Sequence, residues 1–313
     1  MFFRMTTSPP LRRVLLLVNP KSGSGNAGLD AFRNVLRERG FEVVERQLDD
    51  PERNAEHVRD ARDFGALIAA GGDGTVSSIA YEVRDTKVPM LVFAAGTANL
   101  IAQNLNLPTD PQALASVLEG GNFVTTDLAE LSAGEARWGF TLIAGVGADA
   151  LMIQDSENLK AQLGPAAYLL GALKQIAPPQ ARFRLTLDDR EIETSGISVL
   201  FANFGRANFR LPVARGIDPA DGLLSVIVLR GRSSLSLLPN LIDSLRGRLN
   251  LGEPLFEGNL EMYQCREARI DADLPLPLQY DGEVFGTALP ACVRVLPAAA
   301  RFLTECRPAD LVT

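Results

Sequence analysis

One short segment combines residue types that suit phosphate chemistry: Gly71, Gly72, Asp73, Gly74 and Thr75. It follows the apolar residues 66–70, a length typical of a buried strand, and precedes a sequence typical of a helix start. Glycine leaves backbone N–H groups accessible, and those groups attract phosphate together with the positive end of a helix. Because a carboxylate repels phosphate unless a cation lies between them, Asp73 indicates a site for a nucleotide with Mg²⁺. The alternative is a plain glycine turn that Thr75 closes as an N-cap.

Two other loops carry small, hydrogen-bonding residues after a predicted strand. Residues 19–26 contain Lys21 and follow the apolar residues 14–18, although they lack the P-loop pattern and an ordinary strand-to-helix loop is the alternative. Residues 96–99 follow the apolar strand predicted at 88–94. Because loops at the carboxyl ends of parallel strands lie at one edge of the sheet, we expect all three glycine loops to converge on one crevice.

Acidic side chains recur in two turns of the second half. Asp218 and Asp221 stand three residues apart, and with a free backbone carbonyl they could bind a hard cation through oxygen. A plain turn is the alternative, since this stretch is rich in turn-forming residues. Glu283 follows Asp281-Gly282, which composition alone predicts to be a hairpin turn after a short strand.

These segments need two kinds of domain to position them. Up to about residue 128, strands alternate with helices predicted at 28–39 and 51–63, which favours a doubly wound parallel α/β sheet. Beyond that point the alternation of apolar and polar residues predicts a mainly antiparallel β domain, with helical insertions near 166–176 and 233–246. We predict a nucleotide-binding domain at 11–128, joined by residues 297–313 packing back onto it, and a β domain at 129–296. Its strands are predicted at 138–144, 182–187, 197–203, 223–229, 267–270 and 277–280.

Composition limits the classes of function. A net charge of −7 disfavours general affinity for nucleic acid. Three cysteines (Cys265, Cys292 and Cys306) lack metal-ligand spacing, suit a reducing compartment and are expected to be small buried hydrophobes. His57 is the only histidine, in a charged segment, and is predicted to lie at the surface. No apolar run is long enough to span a membrane, so the protein is expected in the cytosol.

Taken together, the motifs resemble those of a known family. Five of them occur in an order and spacing similar to the diacylglycerol kinase catalytic family, most closely its soluble bacterial lipid kinases, which are similar in turn to the sphingosine kinases. The resemblance extends from about residue 12 to residue 296. The motifs are Asn19-Pro20-Lys21-Ser22-Gly23, Gly71-Gly72-Asp73-Gly74-Thr75, Gly96-Thr97-Ala98-Asn99, Asp221-Gly222-Leu223-Leu224 and Tyr280-Asp281-Gly282-Glu283.

The resemblance implies a phosphofructokinase-like α/β domain, a β-sandwich domain, ATP bound in the cleft between them, and a lipid hydroxyl as the acceptor of phosphate. Glu283 would be the proton acceptor, and the backbone carbonyl of Leu223 would complete a structural Mg²⁺ site with Asp218 and Asp221. Phosphoryl transfer also requires phosphate positioning and charge neutralisation, to which Asp73 and Lys21 would contribute. The residues that would hold ATP are Asn19, Lys21, Gly72, Asp73, Gly74, Thr75, Val76, Ser77, Ser78 and Thr97.

The chain departs from the family pattern at three places. Ser77 and Ser78 stand where the family usually has Asn-Glu, and Leu100 stands where it often has aspartate. The adenine-side threonine of the family is not evident around residues 45–47. The loss of two carboxylates removes acceptors for Mg²⁺ or for a polar head group.

Access to a lipid would come from apolar segments. Residues 163–176 are apolar on nearly every side and could line a lipid groove or enter the interface, and residues 235–249 carry Arg246 and Arg248 near their end. Helices packed in the core are the alternative for both. We expect transient contact with the inner membrane face, and a homodimer is compatible with the sequence. Two other functions remain open: an NAD kinase, which also carries the Gly-Gly-Asp-Gly-Thr motif, and a sensor that binds nucleotide or lipid without turnover.

Overall fold

Two compact units make up the chain: Met1–Thr126 together with Ala298–Thr313, and Asp127–Pro297. The computed structural model describes residues 12–22, 26–147, 150, 179–204, 217–230, 260–286 and 289–305. The predicted helical insertions at 166–176 and 233–246, the apolar segments at 163–176 and 235–249, and Cys306 all lie outside the described residues.

The first unit is built on parallel strands joined through helices. Its described elements run β1 (Arg13–Val18), α1 (Asn26–Glu38), β2 (Glu42–Gln47), α2 (Asn54–His57), β3 (Ala66–Gly71), α3 (Asp73–Val83), β4 (Met90–Ala94), α4 (Leu100–Asn104) and α5 (Pro111–Gly120). The strands lie in the order β2-β1-β3-β4, all parallel. β4 also pairs with a residue near the C-terminus. Phe302 lies in parallel register with Met90, on the side of β4 away from β3.

Both faces of this parallel sheet are covered. Val14, Leu16 and Val18 pack in one core with apolar residues of α1 and α5. Leu15 and Leu17, which point to the opposite face because strand side chains alternate, are also fully buried. Burial on both faces accounts for the nearly unbroken apolar runs in the sequence and confirms the doubly wound α/β class.

The second unit is a β-sandwich. One sheet has the order β12 (Leu260–Cys265), β11 (Leu224–Leu229), β10 (Ser198–Ala202), β7 (Ile143–Gly147), β14 (Leu278–Tyr280) and β15 (Glu283–Phe285), and every neighbouring pair is antiparallel. The other contains β8 (Ala181–Leu187), β9 (Arg190–Gly196), β13 (Glu267–Ala272) and the beginning of β16 (Ala291–Leu303). It also contains a hairpin, formed by β6 (Ala136–Phe140) and the part of β5 (Phe123–Ala133) that follows Thr126. Apolar side chains from both sheets form one core, which includes Phe183, Phe201, Ile270 and Val293.

Two predicted elements are wrong in detail. The helix expected at 51–63 is instead a 3₁₀ turn at Pro51–Arg53, the four-residue α2 and a second 3₁₀ turn at Ala61–Asp63. Its charged sequence lacks the continuous apolar stripe that holds a longer helix against a core. The strand expected at 138–144 is two strands, β6 and β7, which belong to different sheets.

Two smaller expectations concern single side chains. His57 is not a surface residue: its side chain is only 18% exposed, and its Nε2 atom is buried 3.7 Å from Asp49 Oδ1. Cys265 is fully buried, as expected, and this burial, with the nearby charge of Asp188, raises the pKa of its thiol to about 12. Cys292 is half-buried.

Candidate functional site

The loop after β1 is joined to the start of α3 by a side chain. Asn19 Nδ2 donates a hydrogen bond of 2.8 Å to Thr75 Oγ1, while Asn19 Oδ1 accepts from the Lys21 backbone N–H at 2.9 Å. The backbone N–H of Asn19 also donates to the carbonyl of Ala70 at the end of β3. The N-cap role that the alternative interpretation gives Thr75 is wrong, because α3 begins at Asp73 with Gly72 as its cap.

The loops after β3 and β4 meet through glycine. A Cβ atom built on Gly96 would lie 2.5 Å from the Cα atom of Gly72 and 3.0 Å from Asn99 Oδ1, so no larger residue fits without displacement of backbone. The Asn99 side chain closes its own loop, accepting from the N–H of Gly96 and donating to its carbonyl, both at 2.8 Å. The described residues of all three loops therefore come together at the carboxyl ends of β1, β3 and β4.

The Asp73 carboxylate binds backbone amides. Its two oxygens accept from the N–H groups of Leu100 at 3.0 Å and Ile101 at 2.9 Å, the first residues of α4. Negative charge at a helix start is favourable, so this contact stabilises the third loop against the second. It also accounts for a carboxylate at this position without a cation, and the role of Asp73 toward Mg²⁺ or phosphate stays a prediction.

The other predicted nucleotide-binding residues differ in exposure. Thr97 and Lys21 are exposed, and the Lys21 ammonium lies 3.4 Å from the carbonyl oxygen of Asp49. Val76 and Ser77 are buried, and Ser78 Oγ accepts a hydrogen bond from Asn54 Nδ2 at 2.8 Å. Gly72 and Gly74 are half-buried. Among these predicted residues, Thr97 and Lys21 are therefore the exposed ones, and the residues at 72–75 are half-buried.

Glu283 follows a two-residue hairpin turn between β14 and β15. Tyr280 pairs with Glu283 across the turn, and both central residues have positive φ angles, +43° at Asp281 and +90° at Gly282, as in a type I′ turn. The Glu283 side chain is exposed. The hairpin geometry predicted from composition is confirmed, and it presents a carboxylate to solvent where the resemblance places the proton acceptor.

An aromatic cluster packs against this hairpin. The Trp138 ring lies 4.4 Å from the Phe285 ring and 6.3 Å from the Tyr280 ring, measured between centroids. Burial, with added repulsion from Glu283 and Asp281, raises the pKa of the Tyr280 hydroxyl to about 12. Tyr280 is therefore a neutral neighbour of Glu283 at physiological pH.

The predicted metal-binding residues form a tight turn. Asp218 Oδ1 accepts from the Ala220 N–H and Asp221 Oδ1 from the Leu223 N–H, both at 2.9 Å. The second oxygen of each carboxylate has no hydrogen-bond partner among the residues that the structure describes. Within those residues, no group of three acidic, histidine or cysteine side chains could hold a metal ion.

Sequence reasoning missed Asp127. Its side chain is buried, and its Oδ2 atom accepts from the Gly222 N–H at 2.7 Å, inside the turn that carries the predicted metal ligands. The Asp127 N–H also donates to the carbonyl of Pro219. The available signal was the charge of Asp127 at the otherwise apolar and hydroxyl-rich start of β5. Such a position predicts a specific partner, because buried carboxylates are rarely without one.

Two family models match consecutive parts of the chain. The model of the diacylglycerol kinase catalytic domain matches residues 13–131. The model of the YegS C-terminal NAD kinase beta sandwich-like domain matches residues 143–304, which is just over half of the chain. The chain belongs to the diacylglycerol kinase family. This membership confirms the resemblance that the five motifs carry, and the chain is a kinase of the lipid kinase class.

Relatives in the diacylglycerol kinase family are similar along most of their length. A diacylglycerol kinase of Mycobacterium tuberculosis is 28% identical over 305 residues, covering 93% of this chain and 94% of the relative. A diacylglycerol kinase of Staphylococcus carnosus is 25% identical over 298 residues, covering 90% of this chain and 91% of the relative.

Solved structures show the same architecture. A diacylglycerol kinase from Bacillus anthracis superposes with a TM-score of 0.71 at 20% identity, covering 97% of this chain and 100% of the other. A second structure from that organism superposes with a TM-score of 0.75 at 18% identity, covering 96% and 99%. At these identities the likeness shows the fold alone. No helix among the described residues of this family member is long and apolar enough to cross a membrane.

Proposed function

We propose that the chain is an ATP- and Mg²⁺-dependent lipid kinase, which transfers the γ-phosphoryl group of ATP to the hydroxyl of a diacylglycerol-type or related lipid. The observation that carries the proposal is the junction of the three glycine loops, held by Asn19, Asp73 and Gly96, in a member of the diacylglycerol kinase family. Relatives named diacylglycerol kinase support the choice of lipid as acceptor.

The junction of loops binds the ATP phosphates in this proposal. Backbone N–H groups at Gly72, Gly74 and Thr75 lie at the start of α3, where the helix end is positive. Through its hydrogen bond to Thr75, Asn19 fixes the position of the first loop relative to the second. Lys21 and Thr97 are exposed and supply one positive charge and one hydroxyl to the nucleotide.

The donor set at Asp218, Asp221 and the Leu223 carbonyl suits Mg²⁺, which prefers oxygen ligands. Each carboxylate uses one oxygen to close its own turn, and the remaining oxygens with the carbonyl form an all-oxygen set. When bound in the kinase, Mg²⁺ supplies neutralisation of negative charge. Asp73 is the acidic residue closest in sequence to the glycines of the phosphate loop, and we propose that it positions the nucleotide.

The Glu283 carboxylate accepts the proton of the lipid hydroxyl. The hydroxyl oxygen bonds to the γ-phosphorus while the bond from that phosphorus to the β–γ bridging oxygen breaks, so ADP leaves and the lipid becomes a phosphate ester. A lipid acceptor requires transient contact with a membrane surface, and we propose that the protein makes it from the cytoplasm, at the inner face.

Glu283→Gln tests this assignment. General base catalysis contributes about 10²–10⁴-fold, so we expect a loss of kcat in that range with ATP binding retained. Glu135→Gln is the matched control, because Glu135 is also exposed at a hairpin turn of the second unit. An unchanged transfer of labelled phosphate to lipid in Glu283→Gln would remove Glu283 from the mechanism.

A further inference from the structure

The Asp281 carboxylate is bound by three consecutive backbone amides. Asp281 Oδ2 accepts from the N–H of Thr141 at 2.8 Å, and Oδ1 accepts from the N–H groups of Leu142 at 3.0 Å and Ile143 at 2.9 Å. The Asp281 N–H in turn donates to the Ile143 carbonyl at 2.8 Å. Hydrogen bonds to a charged acceptor are about twice as strong as neutral ones, so this is a firm attachment.

The attachment lies where the chain changes sheets. Thr141 and Leu142 separate β6 from β7, and their N–H groups would serve a strand ladder if the two strands were continuous. The Asp281 carboxylate satisfies these groups instead, and in the same contact it fixes the turn between β14 and β15 to the beginning of β7. Glu283 follows two residues later on that turn.

We propose that Asp281 is a positioning residue for Glu283, which holds the proton-accepting carboxylate in place through this attachment. The proposal rests on the function proposed above for Glu283. A displacement of about 1 Å at a reacting group can cost about 10²-fold in rate. The turn itself forms from its dipeptide, whereas its location in the unit depends on the three amide contacts.

The chain contains a closely matched control. Asp188 stands at the same position of the hairpin turn between β8 and β9, with a φ angle of +51°. Its Oδ1 atom accepts from the N–H groups of Arg266 at 2.9 Å and Glu267 at 3.0 Å, and its own N–H donates to the Glu267 carbonyl. Asp188 thus anchors a hairpin to a neighbouring strand as Asp281 does, but no proposed active residue follows it.

The test measures kcat, KM for ATP and the fluorescence of Trp138 in two variants, Asp281→Asn and Asp188→Asn. Asparagine tolerates the left-handed conformation, but one carboxylate oxygen of Asp281 becomes an N–H₂ group that faces a backbone N–H. We expect kcat to fall by about 10–100-fold in Asp281→Asn, with KM for ATP unchanged, and no loss of kcat in Asp188→Asn. Trp138, the only tryptophan, packs on Phe285 and should change its emission in Asp281→Asn alone.

A double-mutant cycle separates positioning from a general loss of structure. If Asp281 acts through Glu283, Asp281→Asn should lower kcat by less than about 2-fold in the Glu283→Gln background. An equal loss in both backgrounds, or an equal loss in Asp188→Asn, overturns the proposal. Should Asp281→Asn fail to fold, Asp281→Glu replaces it: it keeps the charge but moves the carboxylate by one methylene, with the same expected loss and the same cycle.

The two proposals fail in different ways. If no acceptor is phosphorylated, the proposed function is wrong, and so is the inference that depends on it, whatever Trp138 reports. If the wild-type protein phosphorylates lipid and Glu283→Gln is inactive, but Asp281→Asn retains full kcat and an unchanged Trp138 emission, only the positioning role is wrong.

Discussion

The side chain of Asn19 donates a 2.8 Å hydrogen bond to Thr75 Oγ1 across 56 residues of sequence. It joins the loop after the first parallel strand to the first turn of the helix after the third. Parallel strands bring their carboxyl ends to one edge of the sheet, and this contact sets the distance between two of the loops found there. The phosphate-binding assignment of the first unit depends on that distance.

Removal of this contact should weaken ATP binding. Asn19→Ala deletes both the donor to Thr75 and the acceptor for the Lys21 N–H, and each hydrogen bond contributes about 1 kcal/mol. We expect KM for ATP to rise by about 5-fold per kcal/mol lost, with a smaller change in kcat. In Thr75→Val the same contact is lost, so the double variant should be less impaired than the two single effects predict. Fully additive effects would contradict the coupling.

Gly96→Ala should destabilise the first unit. The new Cβ would lie 2.5 Å from the Gly72 Cα atom, which forces the second and third loops apart. Overpacking of this kind costs about 1–3 kcal/mol, measurable in urea unfolding. Gly120→Ala is the control: its Cβ would have its nearest neighbour at 3.7 Å, and alanine favours a helix. Equal stability of the two variants would contradict the close approach of the loops.

Asp73→Asn should impair both the third loop and turnover. It replaces an oxygen that accepts from Leu100 or Ile101, at an expected cost of about 1–3 kcal/mol in unfolding free energy. We also expect kcat to fall by at least about 10-fold, as for other removed electrostatic contacts in active sites. Asp110→Asn is the control, because Asp110 caps α5 and asparagine caps equally well. Normal kcat in a destabilised Asp73→Asn protein would assign Asp73 to the loop alone.

The ion pair of Arg46 and Asp60 should make stability depend on pH in acid. Arg46 binds both carboxylate oxygens, and its hydrogen bonds lower the pKa of Asp60 to about 2, below the unfolded value of about 3.9. A lowered folded pKa stabilises the protein above the unfolded pKa, and this contribution disappears as pH falls through the folded pKa. We expect Asp60→Asn to cost about 1 kcal/mol or less near neutral pH, because the pair is partly exposed.

The measurement for Asp60 is the difference in melting temperature between wild type and Asp60→Asn. It should be constant near neutral pH and shrink between about pH 4 and pH 2. Glu56→Gln serves as control, since Glu56 pairs with Arg53 in a more exposed position and should change the melting temperature little at any pH. A difference that grows toward acid would contradict the assignment.

Local patterns predicted the elements around the candidate site. Within ten residues the sequence predicts a strand from the apolar run before Gly71, a turn from the glycines and a helix start after them. The structure has β3 and α3 at these places. Asp281-Gly282 likewise predicted its own turn, because the dipeptide tolerates positive φ angles.

Contacts between distant residues could not be predicted in this way. The continuous strand expected at 138–144 is divided at Thr141 and Leu142, whose N–H groups donate to the Asp281 carboxylate, 140 and 139 residues away. Asp127 binds Gly222 across 95 residues. Neither residue of such a pair changes the sequence pattern around its partner. Sequence patterns therefore predict the turns but not the contacts that anchor them.

The most direct test of lipid kinase activity is ATP consumption by the purified protein with Mg²⁺ against lipids in detergent micelles. The acceptors are diacylglycerol, monoacylglycerol, phosphatidylglycerol, sphingosine and ceramide, with NAD as control. We predict ATP consumption above background with one of these lipids and none with NAD, and phosphate labelled at the γ position should be recovered in the lipid. Turnover with NAD would indicate an NAD kinase. ATP binding without turnover on any acceptor would indicate a sensor, and either result would contradict the proposed function.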